Sequence, residues 1–361
     1  MKILVCEHLT EKGHTNLLAN VCNLLVRCGY EVIAVIPQNF TKELPLCKVE
    51  RMSIKYYSDE YTQSSSVNKI KYCLRVQKYI KGLYKRNNIG VTFVITFDEI
   101  ALAIGRILGN LKGDFFVIHN LNPDAILLSK YRRFAYKMIK NRVFSVVLAG
   151  FIKDILTSAL NTDPGRILVL PHPMTPVENN SLADIDCVGI SNSNDESIIE
   201  DIINREKKEG IFKKNNLKVI LKSRCHKFDN NHLVIISGFI DSKIYDDFIS
   251  RAKCIFIPFP ESFKSRVSGT LIDALSNNKC VIGTNIPTII HSSMCYKHVI
   301  KIFNESSFVT DIKEVGKVFP SKSEDFSRFH EMHSEVLLSN ILNKAVNNVI
   351  EKRPMDNIYD F

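Results

Sequence analysis

Short apolar runs alternate along this chain with longer segments in which apolar residues recur at helical spacing. The run 2–6 (KILVC) is almost continuously apolar, which is typical of a parallel strand buried on both faces. Leucine and valine then recur on one face of a predicted helix over 15–28, and 31–36 (EVIAVI) predicts a second strand. The chain therefore begins with a strand–helix–strand unit, the building block of α/β proteins.

The alternation continues to residue 170, stops, and starts again near residue 187. Pro171 and Pro173 end the first series, and the segment 174–186 is polar and irregular. The pattern predicts an α/β protein with two Rossmann-like, doubly wound parallel sheets, followed by one long final helix over 327–352. The predicted domains are 1–173, 174–340 and, as a C-terminal helix and tail, 341–361.

Length, composition and net charge indicate which classes of protein and which kinds of partner are compatible with this sequence. The chain has 361 residues, of which 45% are hydrophobic, so two packed domains are expected. Its net charge of +10 indicates anionic partners such as nucleotide phosphates or an anionic membrane surface. None of the ten cysteines forms a CxxC pair, which argues against zinc ribbons and favours a reducing compartment. No apolar run is long enough to cross a membrane, so we expect a cytoplasmic protein, with peripheral attachment to the inner membrane face as an option.

The segment 254–285 carries the clearest candidate chemistry. It predicts a strand, a polar loop, a helix over 270–277 and a second strand. Ser268, Gly269 and Thr270 stand at the helix start, where free backbone N–H groups form a ready site for a phosphate. Arg266, just before them, supplies a cation for a diphosphate. The alternative is that these residues only cap the helix.

This segment resembles the nucleotide-sugar signature of GT-B glycosyltransferases, most closely those of family 4. Asp273-Ala274 stands where that family has Glu-Ala, and 280–282 matches the apolar strand that follows. Two departures stand out. The helix carboxylate is Asp, and the first glutamate of the usual E-x7-E pair falls on Ser265, so Glu261 matches only with a loop four residues longer. The resemblance implies two Rossmann-like domains that face each other across a cleft.

The resemblance also implies roles for three residues. Asp273 would bind the donor ribose, Glu261 would contact the donor sugar, and His119, at the end of a first-domain strand, would face that sugar as a catalytic group. Each has a simpler alternative. Asp273 is then an exposed helix residue, Glu261 pairs with Lys264 or Arg266, and His119 is a hydrogen-bonded strand-end histidine.

Further donor contacts are expected elsewhere in the second domain. Lys222, at a strand end, is the second cation expected on the phosphates, with a solvated surface lysine as the alternative. Gly238 and Phe239 lie in a segment that resembles the family's base-binding region. The lysine usual early in this domain is replaced by 191–197 (SNSNDES). No metal site and no cofactor are predicted, because cations and helix N-termini typically replace a bound metal in GT-B enzymes.

Two predicted helices, 67–86 and 130–142, interleave Lys and Arg with aromatic residues. This composition predicts contact with an anionic membrane surface, and solvated helix faces are the alternative. No nucleic-acid-binding module is recognisable, so no nucleic-acid partner is expected.

The hypothesis for function is transfer of a sugar from a nucleotide-diphosphate donor to a saccharide or lipid-linked saccharide, in surface polysaccharide biosynthesis. Retention of anomeric configuration is implied by the resemblance alone. Two alternatives stay open: a nucleotide-sugar epimerase with the same fold, and a non-catalytic membrane-associated scaffold.

Overall fold

The computed structural model divides the chain into two compact units, Met1–Pro173 with Ser334–Phe361, and Met174–His333. Residues from 334 onward thus belong to the first unit, whereas the sequence analysis placed 334–340 in the second domain. The structure describes residues 1–7, 15–37, 40, 43–52, 66–111, 114–119, 122–177, 182–238, 240–317 and 320–355.

The first unit contains a parallel sheet of seven strands in the order β3-β2-β1-β4-β5-β6-β7. The strand order reverses between β1 and β4, which makes the sheet doubly wound. Its strands are β1 (Lys2–Cys6), β2 (Glu31–Pro37), β3 (Lys48–Met52), β4 (Ile89–Val94), β5 (Asp114–His119), β6 (Phe144–Val147) and β7 (Ile167–Val169). Its helices are α1 (Thr15–Arg27), α2 (Ser66–Asn87), α3 (Glu99–Ile107), α4 (Asn122–Leu128), α5 (Lys130–Ile139) and α6 (Gly150–Leu160).

The second unit repeats this arrangement with the order β10-β11-β9-β8-β12-β13-β14, in which only the pairing of β10 with β11 is antiparallel. Its strands are β8 (Ile185–Gly189), β9 (Val219–Lys222), β10 (Phe228–Asp229), β11 (Leu233–Ile236), β12 (Ala252–Ile257), β13 (Cys280–Gly283) and β14 (Ile300–Ile302). Its helices are α7 (Glu196–Glu209), α8 (Ser242–Arg251), α9 (Gly269–Ser276), α10 (Pro287–Cys295), α11 (Phe308–Val315) and α12 (Pro320–Met332). The prediction of two Rossmann-like parallel sheets is confirmed.

The prediction of a single long C-terminal helix is wrong. The structure has α12 and then α13 (Glu335–Ile350), and Ser334 caps α13 by accepting a hydrogen bond from the Leu337 N–H at 3.3 Å. Helix α13 packs on α1 of the first unit. The Tyr30 hydroxyl donates to Asn343 at 2.6 Å, and the Cys28 thiol donates to the Ser339 carbonyl at 3.2 Å. These contacts explain why the C-terminal segment belongs to the first unit.

Both cores form where the sequence is apolar at successive strand positions. Ile3 to Cys6 of β1 and Cys254 to Ile257 of β12 have no exposed surface, because helices cover both faces of a parallel sheet. Strand β3 escaped prediction because it is a largely exposed edge strand of mostly polar residues. Among the described residues, no helix is both long enough and apolar enough to span a bilayer.

Candidate functional site

The carboxyl ends of β9, β8 and β12 form the edge of the second sheet where the strand order reverses. Ligands of doubly wound sheets bind outside such an edge. The segment 190–195, which joins β8 to α7, is held here by two bonds from the Asn194 amide, to the carbonyls of Gly189 at 2.8 Å and Lys222 at 2.9 Å. The Asp195 N–H donates to the Pro258 carbonyl at 2.6 Å, so the segment bridges β8 and β12.

Helix α9 begins at this edge, after the loop that leaves β12. Ser268 is its N-cap, and the buried hydroxyl accepts from the Leu271 N–H at 3.1 Å. Gly269 is exposed, and apart from its chain neighbours and its own helix no atom lies within 4 Å of the position that a Cβ would occupy. The predicted cap is therefore present, and beside it the backbone at the positive end of the helix dipole is open to a ligand.

Arg266 lies in the same loop and is held against an aromatic pair. Its guanidinium stands over the Phe263 ring at 5.0 Å from the centroid, and Phe263 packs on Phe259 with 4.3 Å between centroids. A cation–π contact of this kind restricts the orientation of the guanidinium.

Asp273, one turn into α9, accepts hydrogen bonds at both carboxylate oxygens. The Tyr245 hydroxyl donates at 2.8 Å, and the Thr175 hydroxyl donates to the other oxygen. Burial, followed by the charge of Asp273, raises the pKa of Tyr245, whose hydroxyl also hydrogen-bonds with Thr270. The alternative of an exposed helix aspartate is wrong, because Asp273 joins α8, α9 and the segment before β8.

Lys222, at the end of β9, is only 3% exposed, so the alternative of a solvated surface lysine is wrong. Its ammonium contacts the side-chain oxygen of Asn192, and burial lowers its pKa. The structure thus places a buried cation two strands away from the loop of Arg266, at the same edge of the sheet.

Glu196, which the sequence analysis did not single out, organises the neighbouring turn. It accepts from the Ser223 hydroxyl at 2.5 Å and from the backbone N–H of Arg224 at 2.9 Å. The Nε of Arg224 also donates to it at 3.1 Å. Its position directly after the N-cap Asp195 was the available sequence signal, because acidic residues favour the first turn of a helix.

The remaining second-unit candidates lie at two other strand ends. Glu261 opens a short 3₁₀ helix after β12 and is exposed. Within the part of the chain that the structure describes, no ion pair joins it to Lys264 or Arg266, so the alternative of such a pair is not found. Gly238 follows β11 with a φ of +87°, a left-handed conformation that favours glycine. Phe239 lies outside the described residues.

His119, at the end of β5, is fully buried in the first unit. Its Nε2 lies 3.0 Å from the Ser145 hydroxyl, which in turn lies 3.0 Å from the Tyr136 hydroxyl. Phe97 and Tyr136 meet the imidazole edge-on, and burial lowers its pKa to about 3. In this structure the neutral ring is a packed, hydrogen-bonded strand-end residue that is closed to ligands.

Residues Asp98 and Glu99, at the start of α3, are also buried in the first unit. Arg132 of α5 pairs with Glu99 at 2.5 Å and with Asp98 at 3.0 Å. Asp98 also caps α3 by accepting from the N–H groups of Ile100 and Ala101, each at 3.0 Å. Within the described ranges, no group of three or more His, Cys, Asp or Glu side chains is arranged to hold a metal ion.

Comparison with solved structures settles the fold. A sucrose-phosphate synthase from Thermosynechococcus elongatus aligns over 98% of this chain and 100% of its own, with a TM-score of 0.70 and 10% identity. A glycosyltransferase from Rickettsia africae ESF-5 aligns over 97% and 98%, with a TM-score of 0.66 and 13% identity. The chain has the GT-B glycosyltransferase fold.

The same GT-B fold occurs in a Listeria monocytogenes protein described as a UDP-N-acetylglucosamine 2-epimerase, which aligns over 99% of both chains with a TM-score of 0.61 and 12% identity. No protein-family model matches the chain, and no curated protein matches its sequence. Placement in family 4 therefore stays a prediction.

Proposed function

We propose that this GT-B protein is a glycosyltransferase whose nucleotide-diphosphate-sugar donor binds at the carboxyl edge of the second sheet. The observation that carries the proposal is the start of α9, where an open backbone at Gly269 follows the oriented cation of Arg266. Backbone N–H groups at a helix start and a fixed guanidinium are both groups that bind phosphates well. The fold shared with glycosyltransferases supports the assignment.

In this proposal the leaving diphosphate is stabilised by charge without a step that needs a metal. The backbone N–H groups of Gly269 and Thr270 and the guanidinium of Arg266 face the phosphates. Lys222 supplies the second cation, because an incoming anion would offset the desolvation that lowers its pKa. Such pre-oriented donors stabilise charge that develops as the glycosidic bond to the phosphate breaks.

The nucleoside and sugar contacts complete the donor site. The carboxylate of Asp273, which accepts from Tyr245 and Thr175, would also accept from the ribose hydroxyls. The backbone around Gly238 and Phe239 would contact the base, and the exposed carboxylate of Glu261 would contact the sugar. His119 is assigned no contact with the donor, because its ring has no exposed surface.

The acceptor in this proposal is a saccharide or a lipid-linked saccharide. The role in surface polysaccharide assembly and the retaining stereochemistry follow from the resemblance alone. A nucleotide-sugar epimerase is the second candidate, favoured by the fold shared with the Listeria protein. A transferase releases free nucleotide only when an acceptor is present, whereas an epimerase converts the sugar while it stays on the nucleotide. This difference separates the two candidates.

A thermal-shift panel of UDP-, GDP- and ADP-sugars tests the donor site. A donor present at 100 times its Kd stabilises the folded protein by about 2.7 kcal/mol. We expect at least one donor to raise the melting temperature, and Arg266→Ala to abolish that rise. Arg328→Ala, at an exposed position of α12, is the matched control and should respond as the unmodified chain does. If none of the nucleotide sugars raises the melting temperature of the unmodified chain, the proposal is refuted and a non-catalytic scaffold is favoured.

A further inference from the structure

Helix α5 exposes a stripe of large apolar side chains. Tyr131 is 82% exposed, Phe134 67% and Met138 44%, and Leu128, just before the helix, is 85% exposed. The three helical residues follow the spacing that places side chains on one face. Adjacent exposed apolar residues of this size mark an interaction surface far more often than isolated ones do.

The opposite side of α5 holds the helix in place without help from this stripe. Ala135, Tyr136 and Ile139 are buried, and Arg132 forms the ion pairs with Asp98 and Glu99. The exposed aromatic residues are therefore not needed to pack the helix. Their exposure has a cost in solubility, which indicates a partner that covers them.

The charge around the stripe identifies the kind of partner. Between residues 125 and 153 the chain carries seven Lys or Arg residues and no Asp or Glu. Lys130 and Lys137 are exposed on α5, and Arg142 is exposed just after it. Aromatic and apolar residues rimmed by cations fit the boundary between anionic headgroups and acyl chains.

Helix α2 is the other segment for which the sequence predicts contact with a membrane, but two of its tyrosines are not exposed. Lys71 and Lys78 are exposed, but Tyr72 is buried. The Tyr84 hydroxyl is hydrogen-bonded to Thr92 at 2.5 Å. The expectation that tyrosines of both helices lie at the membrane interface is thus wrong for these two residues of α2. Helix α2 packs on α3, which also packs on α5.

We propose that the α5 face, defined as Leu128, Tyr131, Phe134 and Met138 with Lys130 and Lys137 at its rim, docks on an anionic lipid bilayer. The apolar side chains enter the headgroup–acyl boundary, and the ammonium groups stay among the phosphates. This inference is independent of the donor site and brings the first unit to the surface where a lipid-linked acceptor is found.

The chain contains no tryptophan, which allows a direct test of insertion. Tyr131→Trp introduces a single reporter on the α5 face, and Met294→Trp introduces one at an exposed position of the second unit. We expect vesicles of phosphatidylcholine and phosphatidylglycerol to shift the emission of Tyr131→Trp to the blue and to leave Met294→Trp unchanged. Vesicles of phosphatidylcholine alone should give a much smaller shift, because the electrostatic attraction is missing.

Co-sedimentation with the same vesicles separates the apolar and ionic contributions. Tyr131→Ser/Phe134→Ser and Lys130→Glu/Lys137→Glu should each lower the partition coefficient by about tenfold or more. The matched controls, Met294→Ser/Val336→Ser and Lys213→Glu/Lys214→Glu, change equally exposed residues elsewhere and should bind as the unmodified chain does. Circular dichroism of each variant checks that the fold is kept.

Two results would overturn the proposal. One is no blue shift of Tyr131→Trp and no co-sedimentation of the unmodified chain with anionic vesicles. The other combines two observations. Tyr131→Ser/Phe134→Ser binds vesicles as well as the unmodified chain does, and heparin captures every form except Lys130→Glu/Lys137→Glu. That pattern would define a surface for soluble polyanions. Neither readout involves a nucleotide sugar, so neither result bears on the donor-site proposal, which has its own test.

Discussion

The hydroxyl of Tyr245 donates a 2.8 Å hydrogen bond to Asp273, which joins α8 to α9 beside the loop of Arg266. Asp273 also accepts from Thr175, so the carboxylate has a structural role whether or not a ribose binds to it. The two roles can be separated by experiment, because a variant that lacks the Tyr245 hydroxyl keeps the Asp273 carboxylate.

The pair of variants Tyr245→Phe and Asp273→Ala tests this separation. Tyr245→Phe removes the hydroxyl that donates to Asp273, and we expect the free energy of unfolding of the second unit to fall by about 1 kcal/mol. Binding of the nucleotide-sugar donor should persist. Asp273→Ala should lower the stability and also weaken binding of the nucleotide-sugar donor, because it removes the carboxylate that accepts hydrogen bonds from Tyr245 and, in the proposal, from the ribose. Chemical denaturation and ligand-induced thermal shifts measure the two effects. Equal retention of donor binding by both variants would exclude Asp273 as a ribose ligand.

Lys222→Met tests the second cation. Methionine keeps most of the length of the side chain and removes a buried charge, so we expect the unfolding free energy to change by less than about 2 kcal/mol. Donor affinity should fall by about tenfold or more, because an ion pair with a phosphate is lost. Calorimetric titration with the donor that stabilises the unmodified chain measures this change. Lys279→Met, at a half-buried lysine that donates to the Ser250 carbonyl, is the control and should keep the affinity. If both variants bind the donor equally well, Lys222 is structural only.

His119→Gln tests the pH dependence that burial imposes. The pKa of His119 is lowered to about 3 in the folded state, whereas in the unfolded chain it is about 6.5. Between these values the unfolded state binds the additional proton, so stability falls as the pH falls below about 6.5. One proton contributes at most about 1.4 kcal/mol per pH unit. We therefore expect the unmodified chain to lose about 2 kcal/mol more than His119→Gln between about pH 6.5 and 5.

Hydrogen exchange of the β5 and β6 amides as a function of pH measures this difference within the first unit. His226→Gln, at a partly exposed position of the second unit, is the control and should leave the slope unchanged. Identical slopes for His119→Gln and the unmodified chain over this pH window would show that His119 does not resist protonation in the fold.

Arg132→Gln tests the ion pairs beneath the α5 face. The substitution leaves Asp98 and Glu99 as buried carboxylates without their guanidinium partner. Loss of one partner of a buried ion pair typically costs about 3–5 kcal/mol, and we expect urea denaturation of the first unit to show a loss of that order at neutral pH. Arg142→Gln, at an exposed position after α5, should change the stability by less than about 0.5 kcal/mol. A loss for Arg132→Gln no larger than that of the control would contradict the assignment.

Local pattern was enough to predict most strands, several helix starts and the α9 cap. The continuous apolar runs of β1 and β12 match their complete burial, and the polar residues before α9 match its N-cap Ser268. These features depend on neighbours within a few residues, which is why they can be read from the chain. Strand β3 was missed because an exposed edge strand carries no apolar pattern.

The sequence by itself determined the fold class, the two α/β sheets and the loop that joins a cation to an open helix start. Only the tertiary structure decided the environment of individual polar side chains. Thr175 reaches Asp273 across 98 positions of the chain, and Ser145 reaches His119 across 26. Burial of Lys222 and exposure of Tyr131 likewise depend on which elements pack above them. The period of an apolar pattern selects an element and its inner face, whereas a buried polar group needs partners that only the packed units supply.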